Sequence, residues 1–306
     1  MAQLSITFLG TGGSWPSVER NVSATAIKRN HEILLFDCGE GTQRQIQRSN
    51  ISYMRISKIF ISHYHGDHFL GLAGLIQTMQ LNDRKAPLYV YGPKGLNELV
   101  GRFLSLGYFK PAYEIIVTEV AGGDELHFDG YRILASHVLH NVPSLAYALV
   151  ENERPGRFNK QRALELGVPE GPLFRKLQEG KTVTLKDGRS VEPSEVLGPA
   201  RKGRKVTVSG DTVPCREIVE LARESTVFVC DATFTDDLKE RANEYGHCTA
   251  GQAAEIAKEA ACERLFMIHI SPRYKGNEAH EKEAREIFPK SDAPQDLEEF
   301  EVSYGE

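Results

Sequence analysis

The chain has 306 residues, 41% of them hydrophobic, a formal net charge of −5 and five cysteines. That content buries one large core or two modest ones, which excludes a disordered chain and a disulfide-stapled miniprotein. Cys38, Cys215, Cys230, Cys248 and Cys262 are scattered and form no C-x-x-C pair, so reduced thiols are expected. The opening MAQLSITFLGTGG has no basic region followed by an apolar segment, and no run reaches the ~18 apolar residues of a membrane helix. A cytoplasmic protein with no membrane partner is therefore expected.

In chain order, QLSITFLGTGG, HEILLFDCGEG, SKIFISH, APLYVYGP, YRILASHV, RKVTVSGDT, STVFVCDAT and ERLFMIHIS are short β-rich runs and predict strands. Between them, GTQRQIQRS, GLAGLIQTMQL, GPKGLNELVGRFLSL, PCREIVELARES and TAGQAAEIAKEAACE repeat apolar residues at helical spacing. Strands mixed with helices imply a layered α/β architecture. From about 151 to 200 the rhythm breaks, with Pro155, Pro169, Pro172, Pro193 and Pro199, which predicts an inserted, protruding arm. Between Glu151 and Lys205, thirteen Lys and Arg face eight Asp and Glu, so the segment is a basic island in an acidic chain. On charge alone it is equally a solvated surface or a phosphate-binding face.

Residues that bind metals fall where the predicted strands stop. SKIFIS delivers His63, YRILASHVL His140, RKVTVSG Asp211, VFVC Asp231 and LFMI His269. In layered α/β proteins the carboxyl ends of strands are where sites assemble from distant parts of the chain. The stretch HYHGDH adds His65, Asp67 and His68 to His63. Imidazole and carboxylate are the ligands of catalytic zinc. His63 and His65 can point the same way from an extended loop, and Gly66 lets the chain turn before Asp67 and His68. One loop can then feed two metals. Among the other histidines, His31, His127 and His280 read as surface residues, and His137 as a hydrogen-bonding neighbour of the site or nothing. In GTGGSW, Trp15 breaks G-x-G-x-x-G, so a tight turn beside the metal loop is expected.

H-x-H-x-D-H after an apolar strand resembles the metallo-β-lactamase superfamily. The resemblance implies an αβ/βα sandwich of two mixed sheets with helices outside, spanning 1–306 with the arm inserted. It implies that His63, His65 and His140 hold one zinc, that Asp67, His68 and His269 hold the other, and that Asp211 bridges them, giving two Zn2+ per subunit with Mn2+ as the alternative. Asp37 in LLFDCGEG would order the loop. Within the superfamily the whole chain resembles the ribonuclease Z family: FLGTGG, LLFDCGEGTQRQ, SGDT at 209–212, DATF at 231–234, GHCTAGQAA at 246–254 and HISPRY at 269–274.

That resemblance implies a zinc-dependent endoribonuclease that removes the 3′ trailer of precursor tRNA by attack of a metal-activated water, leaving a 3′-hydroxyl. Asp67 would accept the water's proton, and His247, oriented by Asp231, would protonate the leaving oxygen. The family usually has glutamate at position 231, so the reach of the shorter Asp231 to His247 is the point to check. GVPEGPL, with Gly171 and Pro172, is similar to the motif of a flexible tRNA-gripping arm, which in a homodimer would act in trans. Arg20, Asn21 and Arg273 would contact substrate. PSVERN at 16–21 has Val18 where the family often has lysine, which bears on where the cut falls relative to CCA. The superfamily also contains small-molecule hydrolases of thioesters, lactones and sulfate esters, for which a basic arm has no evident use.

Overall fold

The computed structural model describes residues 3–305. Its strands are, in chain order, β1 (Leu4–Gly10), β2 (Ala24–Arg29), β3 (Glu32–Phe36), β4 (Ile56–Phe60), β5 (Leu88–Gly92), β6 (Ile115–Glu119), β7 (Glu125–Phe128), β8 (Tyr131–Val138), β9 (Ser144–Glu151), β10 (Val183–Thr184), β11 (Ser190–Val191), β12 (Lys205–Val208), β13 (Val227–Asp231), β14 (Leu265–Ile268), β15 (Ser291–Asp292) and β16 (Glu299–Glu301). They form two seven-stranded sheets, in the orders β16-β1-β2-β3-β4-β5-β6 and β15-β14-β13-β12-β9-β8-β7, and a separate β10-β11 pair. Both large sheets are mixed. β3 to β6 and β12 to β15 run parallel, while β1 to β3 are antiparallel and β9 opposes β12.

Central strands such as LSITFLG and VFVCD are buried along their whole length, as strands covered on both faces must be. Between the sheets, Phe8 packs on Phe266 at 5.0 Å, and Tyr147 lies 5.4 Å from Phe60 and 6.2 Å from Phe36. Each such buried ring contributes about 1.5–3 kcal/mol. The Tyr147 hydroxyl donates to the Ile61 carbonyl at 2.9 Å, which satisfies the one polar atom it carries inward. The helices lie outside. Leu72, Leu75, Ile76 and Met79 of the helix Gly71–Leu81 join the core of the first sheet, and Ala253, Ala254, Ile256 and Ala257 of the helix Ala250–Glu259 join that of the second. Among the described residues no helix is long and apolar enough to cross a membrane.

Eight strands, among them β2, β6, β7 and β9, and several helices, the longest of them Glu278–Ile287, are additional to the elements read from sequence. β9 reads SLAYALVE, whose Ala and Leu favour helix, and its ladder with β12 overrides that preference. The helix EAHEKEAREI buries only His280 and Ala284, too thin a stripe to register as periodic. His280 is a correction: it is fully buried, with its ring edge-on to Tyr274 at 4.6 Å, and burial pushes its pKa down to about 4.

The chain divides into two compact units, the second comprising Glu151–Gly203 with Asp129–Tyr131. This small unit holds the helices Lys160–Glu165 and Pro172–Gln178, the β10-β11 hairpin and a core of Ala163, Val168, Leu177, Val183, Leu185, Val191 and Val196. The chain leaves and re-enters the larger unit at register partners, Val150 opposite Lys205.

Candidate metal centre

The carboxyl ends of β3, β4, β8, β12, β13 and β14 lead directly to Asp37, His63, His140, Asp211, Asp231 and His269. The ligand-type atoms of His63, His65, His140 and Asp211 lie within 4.8 Å of one another, and so do those of Asp67, His68 and His269. In the first group, His65 Nδ1 is 3.1 Å from both His63 Nε2 and His140 Nε2. In the second, His269 Nε2 is 3.3 Å from His68 Nε2 and 3.2 Å from Asp67 Oδ2. Asp211 Oδ2 sits between them, 3.6 Å from His63 Nε2 and 3.3 Å from both His68 Nε2 and His269 Nε2.

For His63, His68, His140 and His269 the inward-facing nitrogen is selected by what holds the other side of the ring. His68 Nδ1 meets Asp37 Oδ2 at 2.7 Å, His269 Nδ1 meets Thr233 Oγ1 at 2.8 Å, and His140 Nδ1 donates to the Gly246 carbonyl at 2.8 Å. His63 Nδ1 lies 3.0 Å from Ser62 Oγ, which itself donates to Asp37. With Nδ1 engaged outward, the Nε2 lone pairs of four histidines point at one another. Asp67 Oδ2 accepts from the Ser14 amide at 2.6 Å, so the GTGGS turn braces the metal loop. The turn must be glycine at position 13, because a Cβ there would lie 2.4 Å from the His269 ring. Gly246 is equally constrained: its φ is +80° and a Cβ would lie 2.5 Å from His140 Nδ1.

The donor set fits divalent cations. Nitrogens at about 2.0–2.1 Å from a tetrahedral zinc stand roughly 3.3 Å apart, close to the spacings in both groups. Electrostatics point the same way. Burial opposes charge on His68, yet Asp211 and Asp37 hold its pKa well above the usual imidazole range, whereas burial and neighbouring imidazoles push His63 and His65 down and leave them as neutral donors. Burial alone would raise Asp211, but His269 and His68 keep its carboxyl well below the usual carboxylate range. Asp67 is lowered against burial by His269 and His68.

Beside this cluster, His247 Nδ1 is 2.9 Å from Asp231 Oδ2, so the aspartate does reach the imidazole. Burial works against a charge on His247, and Asp231 outweighs it, lifting the pKa to about 9. Asp231 is anchored in turn by the Thr233 amide and hydroxyl on its Oδ1, at 3.0 and 2.7 Å. Thr233 thus serves both Asp231 and His269. It and Ser14, Ser62 and Gly246 were missed as supporting residues, although Thr233 lies inside the DATF motif and Gly246 beside His247.

The expected substrate contacts are placed differently. Arg20 is a correction: its guanidinium is buried and turned inward, bonded to Thr11 Oγ1, the Pro294 carbonyl and Asn277. Asn21 is half-buried at the edge of the loop, its backbone N–H bonded to Asp296 Oδ2 at 2.6 Å and its side-chain amide to the Val22 carbonyl at 3.3 Å. Arg273 is exposed over the Phe234 ring at 5.2 Å, and Val18 is fully exposed. Gly171 and Pro172 are exposed at the start of their helix, in the smaller unit. His137 is exposed and accepts from the Gly122 amide, away from the cluster.

Residues 179–270 match a family model described as the beta-lactamase superfamily domain, and residues 4–112 match one described as anti-Pycsar protein Apyc1. The fold, the paired histidine groups and the first of these matches place the chain among the metallo-β-lactamase-fold hydrolases. It is 48% identical over 302 residues to a ribonuclease Z of Methanosarcina acetivorans, covering 98% of this chain and 99% of the relative, and 44% identical over 303 residues to one of Archaeoglobus fulgidus, covering 98% of each. The crystal structure of the short form of human tRNase Z superposes with a TM-score of 0.73 at 26% identity, covering 98% of this chain and all of that one. The chain belongs to the ribonuclease Z family, metal-dependent endoribonucleases of this superfamily.

Proposed function

We propose that the protein cuts the 3′ trailer from precursor tRNA at a two-metal centre. The observation that carries this is Asp211 Oδ2, within 3.6 Å of nitrogens from both histidine groups, where one carboxylate oxygen would be shared by two cations. His63, His65 and His140 would hold one ion and Asp67, His68 and His269 the other, with Asp211 shared. The nitrogen-rich first group favours zinc, with manganese the alternative. Bound ions of this kind activate a water and offset charge on the attacking and leaving oxygens of a phosphodiester.

The chain's own groups supply the proton transfers. Asp67, steered by the Ser14 amide, takes the proton of the attacking water. His247 is held by Asp231 through Nδ1, which leaves Nε2 to protonate the departing 3′-oxygen. The basic island between Glu151 and Lys205 supplies the cationic surface that a structured RNA needs and a thioester or lactone does not. The tRNA reading is supported by the named activity of the human structural neighbour.

Family resemblance adds a homodimer in which one subunit's small unit serves the other's centre. Mixing an Asp211→Ala variant with one lacking the small unit should restore activity if that exchange occurs. The primary test is cleavage of a 3′-extended precursor tRNA, with and without chelator, mapped to the nucleotide. A metal-dependent cut at the trailer junction is expected. No cut, alongside turnover of a lactone or thioester, would return the protein to the small-molecule hydrolases.

A further inference from the structure

Between the two large sheets lies a cavity of about 10 Å³, room for a single water molecule. Its walls include Asp37, His68, Asp211 and His269. Phe36, the last residue of β3 in the first sheet, and Val208, the last of β12 in the second, wall it from the core. The cavity therefore sits at the seam of the sheets, behind the atoms that face the ions.

Ser23 opens onto the same cavity. Its side chain is 3% exposed, and its hydroxyl has no hydrogen-bond partner among the described residues. The residue is fixed there by its carbonyl, which accepts the Gly39 amide at 3.0 Å. A buried hydroxyl left unbonded is costly, and alanine would fill the position without that cost. On the other walls, two carboxylates have acceptor capacity left. Asp37 accepts the Ser62 amide on Oδ1 at 2.7 Å, and the Ser62 hydroxyl and His68 Nδ1 on Oδ2 at 2.9 and 2.7 Å, which uses three of about four acceptor sites. Asp211 turns Oδ2 to His68 and His269, each at 3.3 Å. A hydroxyl donor, two buried carboxylates and the volume of one small molecule call for a ligand that accepts once and donates twice, which is water.

We propose that this cavity is a binding site for one ordered water, which accepts from the Ser23 hydroxyl and donates to Asp37 and to the Asp211 oxygen turned away from the histidines. The water joins a carboxylate of the first sheet to the shared carboxylate of the second, and so fixes Asp211 before any ion arrives. Its consequence for metal binding rests on the two-metal reading above, while the water site itself does not.

The test is a crystal structure of the metal-loaded protein at a resolution that shows ordered waters, with chelator competition and thermal melts on wild type, Ser23→Ala and Ser23→Val. One water within about 3.2 Å of Ser23 Oγ and of both carboxylates is expected, and a dry cavity overturns the proposal. Ser23→Ala removes one of the water's three partners and should weaken metal affinity about tenfold. Ser23→Val carries its methyls into the cavity, displaces the water and should weaken affinity further, by up to about 100-fold. Affinities of Ser23→Ala within about twofold of wild type would overturn the bridge to Asp211. Stability separates the water from mere packing. With the water present, Ser23→Ala should lower Tm by a few degrees, whereas in a dry cavity it relieves an unbonded hydroxyl and Tm should rise. If Ser23→Val fails to fold, the wild-type map and Ser23→Ala still decide. Should one ion bind rather than two while the water is in place, the two-metal reading falls and the water site stands.

Discussion

Around Asp211 nearly every polar atom is buried or engaged: six imidazoles and four carboxylates contact one another, braced by Ser62, Thr233, Gly246 and Ser14. In the Glu151–Gly203 unit seven buried apolar side chains support a surface of ion pairs, Lys160–Glu170, Arg162–Glu165 and Arg175–Glu179, every member of which is at least 40% exposed. Exposed pairs of this kind contribute about 0–1 kcal/mol each. The first region fixes atoms in space, and a change to one residue is felt by its neighbours. The second presents charge on a small core, and a change there stays local. Chemistry needs the former, while gripping a long polyanion needs only the latter.

The sharpest way to break the contrast is Asp211→Ala. Losing the shared carboxylate should cost several kcal/mol of transition-state stabilisation, about 10³-fold or more in kcat, with metal content falling in parallel by atomic absorption. Near-normal cleavage with both metals retained would remove the bridge. Next is excision of the small unit. Because Val150 and Lys205 are antiparallel register partners, Glu151–Gly203 can be replaced by a short Asn-Gly connection. Precursor tRNA cleavage should fall by about 10²–10⁴-fold, as when one of two linked binding modules is lost. Hydrolysis of bis(p-nitrophenyl) phosphate should persist. Equal loss on both substrates would mean that the two regions are not separable. Thr233→Val keeps shape but removes the hydroxyl shared by Asp231 and His269. Metal affinity, read by competition with a chromogenic chelator, should drop about 10–100-fold.

The site was more legible in the sequence than its supports were. His63, His65, Asp67 and His68 sit in one loop, and the remaining ligand-type residues each end an apolar run, so position alone gathered them. Thr233, Ser62, Gly246 and Ser14 act through a single hydrogen bond each way, or through a backbone atom, and such roles leave no periodic or compositional mark. Arg20 shows the opposite limit. The family resemblance implied a substrate contact, but whether a guanidinium faces out or in depends on acceptors such as Pro294, distant in sequence. β9 was hidden because its helix-favouring residues become a strand only when β12 arrives to pair with it.

The smallest effect tests where the fixed region ends. Thr249 caps the helix Ala250–Glu259 through a reciprocal box with Gln252, and its hydroxyl also bonds Asp236. It stands two residues from His247. Thr249→Ala should cost about 1 kcal/mol, the worth of one N-cap, and lower Tm by only about 2–4 °C in a protein of this size. Thr249→Ser, which keeps the hydroxyl, should restore most of it. His247 is held independently, by its own amide to the Ala242 carbonyl and by Nδ1 to Asp231. Cleavage should therefore stay within about twofold while Tm falls, since the cap contributes to the helix and not to proton transfer. A loss of kcat near that of His247→Ala, about 10²–10⁴-fold for a missing general acid, would instead mean that the cap and the imidazole move together and that the rigid network extends into the helix.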